Sequence, residues 1–393
     1  MQRVIFLVDM NAFFISCDAA RNPQLKEKPA AVAGDPKNRS GIILTANYNA
    51  RKFGVKTTMV IHEAKKLCPD IILVPPDHDF YEKKSQEVMN ILSRYTPTLE
   101  QNSIDEAWLD LTGCEGLFGK PLDIAKKIME NIQNELDLWC SIGISENKFL
   151  AKMASDLKKP HGISELWEKD VKAKLWPLPV KEMYGIGKQT AEKLAKIGIF
   201  NIGDIANYNK NLLIKHFGKY GSELYNLSNG IDTSSVCGQN NAICKSISRS
   251  TTLSADTTDF EHAQAVLLSL SEEVGFSARK QDFKGKTVSI VLKYSDFSSI
   301  TRQKSISPTY LTKAIYATGT SLLSENWNAH RPVRLIGIGL SNVDDKCSEQ
   351  LSLFDLIEDK SKDKKEESIE RTMDKLREKF GPDKIKRAKA LDS

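Results

Sequence analysis

Three acids in this chain have neighbours that would make them more than solvating charge. Asp9 closes the apolar run Val4–Val8, and Asp105-Glu106 lies between the strand-like stretches Thr98–Ile104 and Ala107–Leu111. A carboxylate at the end of an apolar strand is costly unless it is exposed or bound to a cation. Hard divalent cations take such oxygens, often one or two side chains plus phosphates and water. A pair of them neutralises the attacking and leaving oxygens in phosphoryl transfer from a nucleoside triphosphate. Adjacent side chains on a regular strand point to opposite faces. Asp105 and Glu106 therefore serve one metal pair only if the chain turns there, as a hairpin from Gln101–Ile104 to Ala107–Leu111 would allow. Taken singly, each acid is more readily a solvated surface group, and Asp110 on the same run is read that way.

The elements that must position these acids follow an α/β pattern. Arg3–Val8 and Ile71–Val74 read as short strands, followed by a helix over His78–Tyr95, the two stretches around Asp105, a helix near Asp123–Leu138 and a strand at Cys140–Ile144. Residues 22–69 interrupt this pattern with strands and helices of their own. From Asn147 to Asp232 the chain turns helical, punctuated by Pro160, Pro177, Pro179 and the turn Gly185-Ile186-Gly187. The polar stretch Thr233–Ala242 reads as a linker. Beyond it the order is strand Ser246–Leu253, helix Glu261–Arg279, strands Thr287–Tyr294 and Ser299–Ser305, helix Tyr310–Trp327 and strand Val333–Val343. That βαββαβ order is a split-βαβ, ferredoxin-like domain. In the charged tail, Ile369, Met373, Leu376 and Phe380 fall at helical spacing before the stop signal Gly381-Pro382, an amphipathic helix that packs on the body or binds a partner.

At 393 residues the chain is long enough for two to four domains. The first 154 residues carry 19 Lys and Arg against 20 Asp and Glu, so the net charge of +5 comes from the rest. An acidic centre followed by mildly basic modules suits a protein that holds a polyanion beside a metal site. Seven scattered cysteines with no C-x-x-C pair point to reduced thiols and exclude a disulfide framework or zinc site. Val4–Val8 is too short for a signal peptide or a membrane span, so a cytoplasmic protein is expected.

Val8-Asp9-Met10-Asn11-Ala12-Phe13-Phe14 and Ser103-Ile104-Asp105-Glu106-Ala107 resemble the two catalytic motifs of bacterial Y-family, DinB/UmuC-type DNA polymerases, and the likeness extends over roughly residues 1–354. The resemblance implies an α+β multidomain right hand. Its ferredoxin-like palm would span 1–21 and 70–154, small fingers 22–69, and a helical thumb 155–232 with a helix-hairpin-helix at 180–198. A linker at 233–244, a ferredoxin-like little finger at 245–343 and a tail at 344–393 would follow. It implies two Mg²⁺ ions, with Mn²⁺ able to substitute, held by Asp9, Asp105, Glu106 and the Met10 carbonyl. Asp9 and Asp105 would be the metal-holding pair and Glu106 the carboxylate at the primer 3′-hydroxyl. Many DinB proteins have Asp at the position of Asn11, which is not a metal ligand in the family pattern. Low-fidelity synthesis past damaged bases, without proofreading, is the implied activity.

The same resemblance assigns the substrate contacts. Phe14 matches the steric gate, whose ring leaves no room for a 2′-hydroxyl, with Phe13 near the sugar and base. Thr45, Tyr48, Arg51 and Lys159 match the triphosphate-binding positions; Tyr48 and Arg51, three apart, share a helix face. Met183–Ala191 resembles a helix-hairpin-helix in which Gly185, Gly187 and Lys188 approach a DNA phosphate, with Lys193 nearby and Tyr184 where proline is frequent. Arg249, Lys293, Arg302 and Lys304 are candidate template contacts. Gln350-Leu351-Ser352-Leu353-Phe354 resembles the pentapeptide that binds the bacterial sliding clamp, which would supply processivity by tethering. Primer-template DNA, deoxynucleoside triphosphates and the clamp are thus the expected partners of a monomer without a membrane span. Compact DinB proteins often end near this pentapeptide, so the further tail suggests a UmuC-like subgroup. Two rivals are a DNA-repair scaffold of polymerase-like fold that has lost its acids, and a nucleotide cyclase with a similar acidic pair. The retained acids oppose the first; Phe14, the hairpin motif and the pentapeptide oppose the second.

Overall fold

The computed structural model describes residues 2–35, 41–238, 244–343 and 360–381. They form two compact units, one ending at 238 and one beginning at 244. The pentapeptide Gln350–Phe354 lies outside the described residues.

The first unit is built on strand β1 (Ile5–Met10), whose six residues are all buried. Helix α1 (Phe13–Arg21) and the one-turn α2 (Gln24–Glu27) follow. Three short strands, β2 (Ala30–Ala33), β3 (Ile43–Ala46) and β4 (Ile72–Val74), make a separate sheet in the order β3-β2-β4, with α3 (Tyr48–Lys52) and α4 (Ile61–Leu67) between the last two. The segment at 70–74, expected in the palm, is corrected here: Ala30–Val32 pair in parallel with Ile72–Val74, which puts that strand with the insertion. Asn47 fastens the insertion by capping α3 through the Ala50 N–H at 2.9 Å and accepting from the Ala30 N–H at 3.1 Å.

The main sheet gathers β5 (Leu99–Gln101), β6 (Glu106–Asp110), β7 (Cys140–Ser145) and β8 (Ile163–Glu165) around β1 in the order β5-β6-β1-β7-β8. Helix α5 (His78–Leu92), the short α6 (Glu115–Phe118) and α7 (Pro121–Leu136) intervene. Alternation decides what each face meets. Phe6, Val8 and Met10 share a core with Tyr81, Met89 and Leu92 of α5 and with Ile124, Ile128 and Ile132 of α7. Ile5 and Leu7 turn the other way, onto Trp108, Val236 and Ala151 of α8 (Lys148–Leu157). Asp9 continues that second set, so it faces α8. The helix is seated close because β7 offers Gly143: a Cβ there would lie 1.9 Å from the Ala151 carbonyl oxygen.

The other side of α8, with Leu150 and Met153, joins a helical core completed by α9 (Lys188–Lys196), α10 (Ile202–Asn207), α11 (Lys210–Phe217) and α12 (Lys219–Ser228). The stretch read as a linker is not free at its start. Val236 is buried on the sheet, and the Cys237 N–H donates to Glu100 Oε2 at 2.8 Å. One apolar side chain in a polar run suffices for that, and composition alone misses it.

The second unit carries β9 (Ser246–Thr257), β10 (Gly285–Tyr294), β11 (Ser299–Thr309) and β12 (Val333–Val343) in the order β11-β10-β12-β9, with α13 (Phe260–Lys280) and α14 (Thr312–Asn326). As in the main sheet, each strand-helix-strand crossover spans one intervening strand, the split βαβ expected for both. The filling strand differs: β12 lies between β9 and β10, whereas β6 lies between β1 and β5. Tail helix α15 (Lys360–Phe380) docks on this unit, with its charged side inward. Glu370 is 4% exposed, whereas Ile369 and Phe380 of the apolar stripe are 50% and 56% exposed.

Candidate active site

The expected turn at Asp105 is present. β5 and β6 pair antiparallel with Gln101 opposite Ala107, so residues 102–105 form the turn and Glu106 begins the return strand. Across β1 and β6, Asp9 stands directly opposite Glu106. Directly opposed residues of an antiparallel pair share a face, which puts both carboxylates on the side that meets α8. Asp105 is held beside them through its backbone, whose carbonyl accepts from the Met10 N–H at 2.8 Å. Its carboxylate accepts from Ser103 Oγ at 2.5 Å, and Asn102 Nδ2 donates to Glu106 Oε1.

Two lysines neutralise this cluster. Lys152 Nζ lies 2.9 Å from Asp9 Oδ2 and 2.5 Å from Glu106 Oε2. Lys159 Nζ lies 2.8 Å from Asp9 Oδ2 and 2.8 Å from Asp156 Oδ1. Burial pushes the Asp9 carboxyl upward, but the charges and hydrogen bonds of Lys152 and Lys159 prevail and hold it below the ordinary carboxylate range. For both lysines burial works against the charged form, while the acids, Asp9 foremost, raise them above the ordinary lysine value. Lys148, one turn before Lys152, pairs with Glu100 at 2.7 Å and stands over the Trp108 ring.

The expected nucleotide-site residues converge on this end of the sheet. Lys159 is bound to Asp9, and Tyr48 is close enough to both for their charges to act on its hydroxyl, which burial raises above the ordinary tyrosine value. Tyr48 opens α3, and Arg51 packs its guanidinium 4.8 Å from the Tyr48 ring centre while Nε donates to the Ala46 carbonyl at 2.9 Å. Thr45 is half-buried on β3. Phe13 is buried, and half-buried Phe14 stacks on Tyr81 at 4.4 Å with planes 10° apart. The Tyr81 hydroxyl donates to buried Asp18 at 2.6 Å, so the wall behind Phe14 is fixed.

Lys152, Tyr81 and the role of Asn11 escape the sequence reading. Lys152 interrupts the apolar run around Phe149–Ala154, where its spacing of four from Lys148 was the available signal. Asn11 accepts from the His161 N–H at 2.8 Å and donates from Nδ2 to Ser141 Oγ at 3.0 Å, tying the Lys159 loop to the end of β1.

The proposed DNA contacts fall elsewhere. Gly185 has φ +91° and Gly187 caps α9; a Cβ on Gly187 would meet nothing within 4 Å, and Lys188 is exposed. In the second unit, Arg302, Ile290, Ile338 and Arg249 form one row across the sheet. Because Ile290 and Ile338 are buried, the two arginines stand on the helix-covered side at opposite edges, roughly 14 Å apart by three strand spacings. Arg249 bonds Ser277 Oγ on α13 and Arg302 bonds Asn326 at the end of α14.

Among the described residues no three acids, histidines or cysteines are gathered as a ready cage for one ion. Hard carboxylate oxygens at Asp9, Asp105 and Glu106, opposed by lysine ammoniums, are nevertheless a donor set suited to a divalent cation that brings water and phosphate ligands with it.

Residues 8–156 match the impB/mucB/samB family, residues 244–353 the C-terminal domain of that family, and residues 168–199 the IMS family HHH motif. A DNA polymerase IV of Clostridium kluyveri is 58% identical over 390 residues, 98% of each chain. That of Alkaliphilus oremlandii is 54% identical and covers 100% of both chains. The tail therefore lies within the length of relatives called DNA polymerase IV, which removes the ground for a UmuC-like subgroup. A solved Y-family DNA polymerase chimera superposes with a TM-score of 0.77 at 30% identity, covering 86% of this chain and 99% of its own.

Proposed function

The chain belongs to the impB/mucB/samB family, the bacterial Y-family DNA polymerases of DinB type, and we propose that the carboxylate cluster on β1 and β6 is where it extends a primer. It is a DNA-directed DNA polymerase of the lesion-bypass kind, acting on primer-template DNA with deoxynucleoside triphosphates. The observation that carries the site assignment is the placement of Asp9 opposite Glu106, with Asp105 at the adjoining turn and Lys159, Tyr48 and Arg51 close by.

Enzymes of this family depend on divalent metal, and the cation supplies neutralisation of charge on the reacting oxygens. Asp9, Asp105, Glu106 and the Met10 carbonyl would hold two Mg²⁺, with Glu106 acting at the metal that activates the primer 3′-hydroxyl. Lys159 and Arg51 are placed to receive the triphosphate as charge-assisted donors. Phe14, backed by Tyr81, cannot yield to a 2′-hydroxyl and so excludes ribonucleotides. The small three-stranded insertion offers little cover to the nascent pair, in keeping with tolerance of distorted templates. Gly185, Gly187 and Lys188 would grip the DNA backbone, and Gln350, Leu351, Leu353 and Phe354 the sliding clamp. A monomer in the cytoplasm fits this role; among the described residues no helix is long and apolar enough to cross a membrane.

Primer extension by the purified chain with Mg²⁺ and deoxynucleotides tests the reading. Asp105→Ala is expected to lower the rate by at least about 10²–10³-fold. Equal extension by parent and variant would remove the assignment.

A further inference from the structure

Lys152 belongs to none of the roles above, yet its ammonium contacts two of the three carboxylates at once, Asp9 at 2.9 Å and Glu106 at 2.5 Å. We propose that Lys152 is a built-in counter-cation: its ammonium bridges Asp9 and Glu106 in the metal-free protein, and an entering divalent cation has to displace it. The inference rests on the reading that these carboxylates hold divalent metal.

Two acids directly opposed across an antiparallel pair repel. Here their side chains are only 12% and 11% exposed, so water screens them poorly. Without a partner they would carry the several-kcal/mol cost of buried unpaired charge. Lys152 removes that cost from one point, reaching both acids at once from α8, and α8 can deliver it because Gly143 admits the helix backbone against β7. A guanidinium would lock the acids in a planar fork; an ammonium on a flexible four-carbon stem can leave without moving the backbone. A destination exists. Asp156 lies one turn further along the helix at i+4 from Lys152, already within reach of its charge. Asp156 now pairs with Lys159, and a nucleotide's phosphates would draw Lys159 away and vacate that acid. Metal entry is thereby coupled to nucleotide entry: alone, a cation competes with Lys152, and with nucleotide the displaced ammonium gains a partner.

The test measures Mn²⁺ binding to the full chain by electron paramagnetic resonance, without DNA or nucleotide. Lys152→Met is expected to tighten binding about tenfold, because no ammonium has to leave. Lys152→Arg, which keeps the charge, is expected to bind no tighter than the parent. A lysine that merely supported the fold would give weaker binding when removed, so unchanged or weaker affinity in a folded Lys152→Met overturns the proposal. Asp105→Ala separates the two readings: a parent with no Mn²⁺ site sensitive to that change would refute the metal assignment itself. Should Lys152→Met not fold, reductive methylation of the parent decides. Lys152 is expected to be labelled several-fold faster with saturating Mn²⁺ than with a chelator present, and equal labelling refutes its displacement.

Discussion

Each unit of this protein holds a cluster in which one cation faces two acids, and the two clusters are built for opposite ends. Lys152 touches Asp9 and Glu106 through a single atom, at side-chain exposures of 11–12%. Arg279, 3% exposed, sets Nε and Nη2 on Asp374 at 2.6 and 2.9 Å, with Nη1 on Glu370 and, at 3.0 Å, on the Tyr310 carbonyl. Glu370 in turn accepts from the Thr312 N–H at 3.0 Å. Each nitrogen of the Arg279 guanidinium has an acceptor in one geometry, which is how a buried charge becomes tolerable. The lysine cluster is satisfied in charge but not in geometry. The first therefore clasps α15 to the little finger; the second leaves its acids free to exchange one cation for another.

Removing an acid from each cluster should separate the two most sharply. Glu106→Gln is expected to lower primer extension by about 10²–10³-fold while the melting temperature stays within a few degrees. Glu370→Gln should leave extension on short templates unaltered and lower the stability of the second unit. A stability loss in the first that matched the second would erase the distinction. Next in size, Arg279→Met strands two buried carboxylates, at a cost of about 3–5 kcal/mol. Hydrogen exchange should show residues 365–380 losing protection while β10 and β12 retain theirs; retained protection of the helix would show that it docks by other means.

Gly143→Ala pushes a methyl group into the backbone of α8. Overpacking of this kind costs about 1–3 kcal/mol. It should move Lys152 away from Asp9, so extension and thermal stability are expected to fall together. A smaller change is expected for Asn11→Asp, because the Ser141 hydroxyl can turn to donate to the new carboxylate and the His161 N–H keeps its acceptor. The cost should not exceed about 1 kcal/mol, read as a few-fold change in the nucleotide KM. A loss of a hundredfold would mean that the neutral amide matters for more than holding the Lys159 loop.

Much of the fold was legible because its signals are local. The short apolar run ending at Asp9 and the i, i+4 isoleucines of α7 announce their elements, and the need for Asp105-Glu106 to serve one site called for the hairpin that is found. The tail helix shows the limit. Its apolar spacing marked a helix but left open what the helix packs on; four charged residues, Glu367, Glu370, Asp374 and Arg377, pair with partners on α13 and in the β11–α14 connection. Hydrophobic periodicity is blind to a face stabilised by ion pairs and hydrogen bonds whose other halves lie 57 to 105 residues away along the chain.

For the site itself, the sequence by itself determined the inventory of acids, the turn that lets two of them serve one centre, and the aromatic and basic residues set at characteristic distances from them. The tertiary structure alone decided that Asp9 and Glu106 stand in register on the face toward α8, that Tyr81 backs Phe14, and that Lys152, with Lys159 at Asp9, rather than solvent neutralises the pair. The reason is physical: period and spacing fix the direction of a side chain from its own strand or helix, but the charge it meets there depends on which element packs opposite, and Gly143 on a different strand sets that distance.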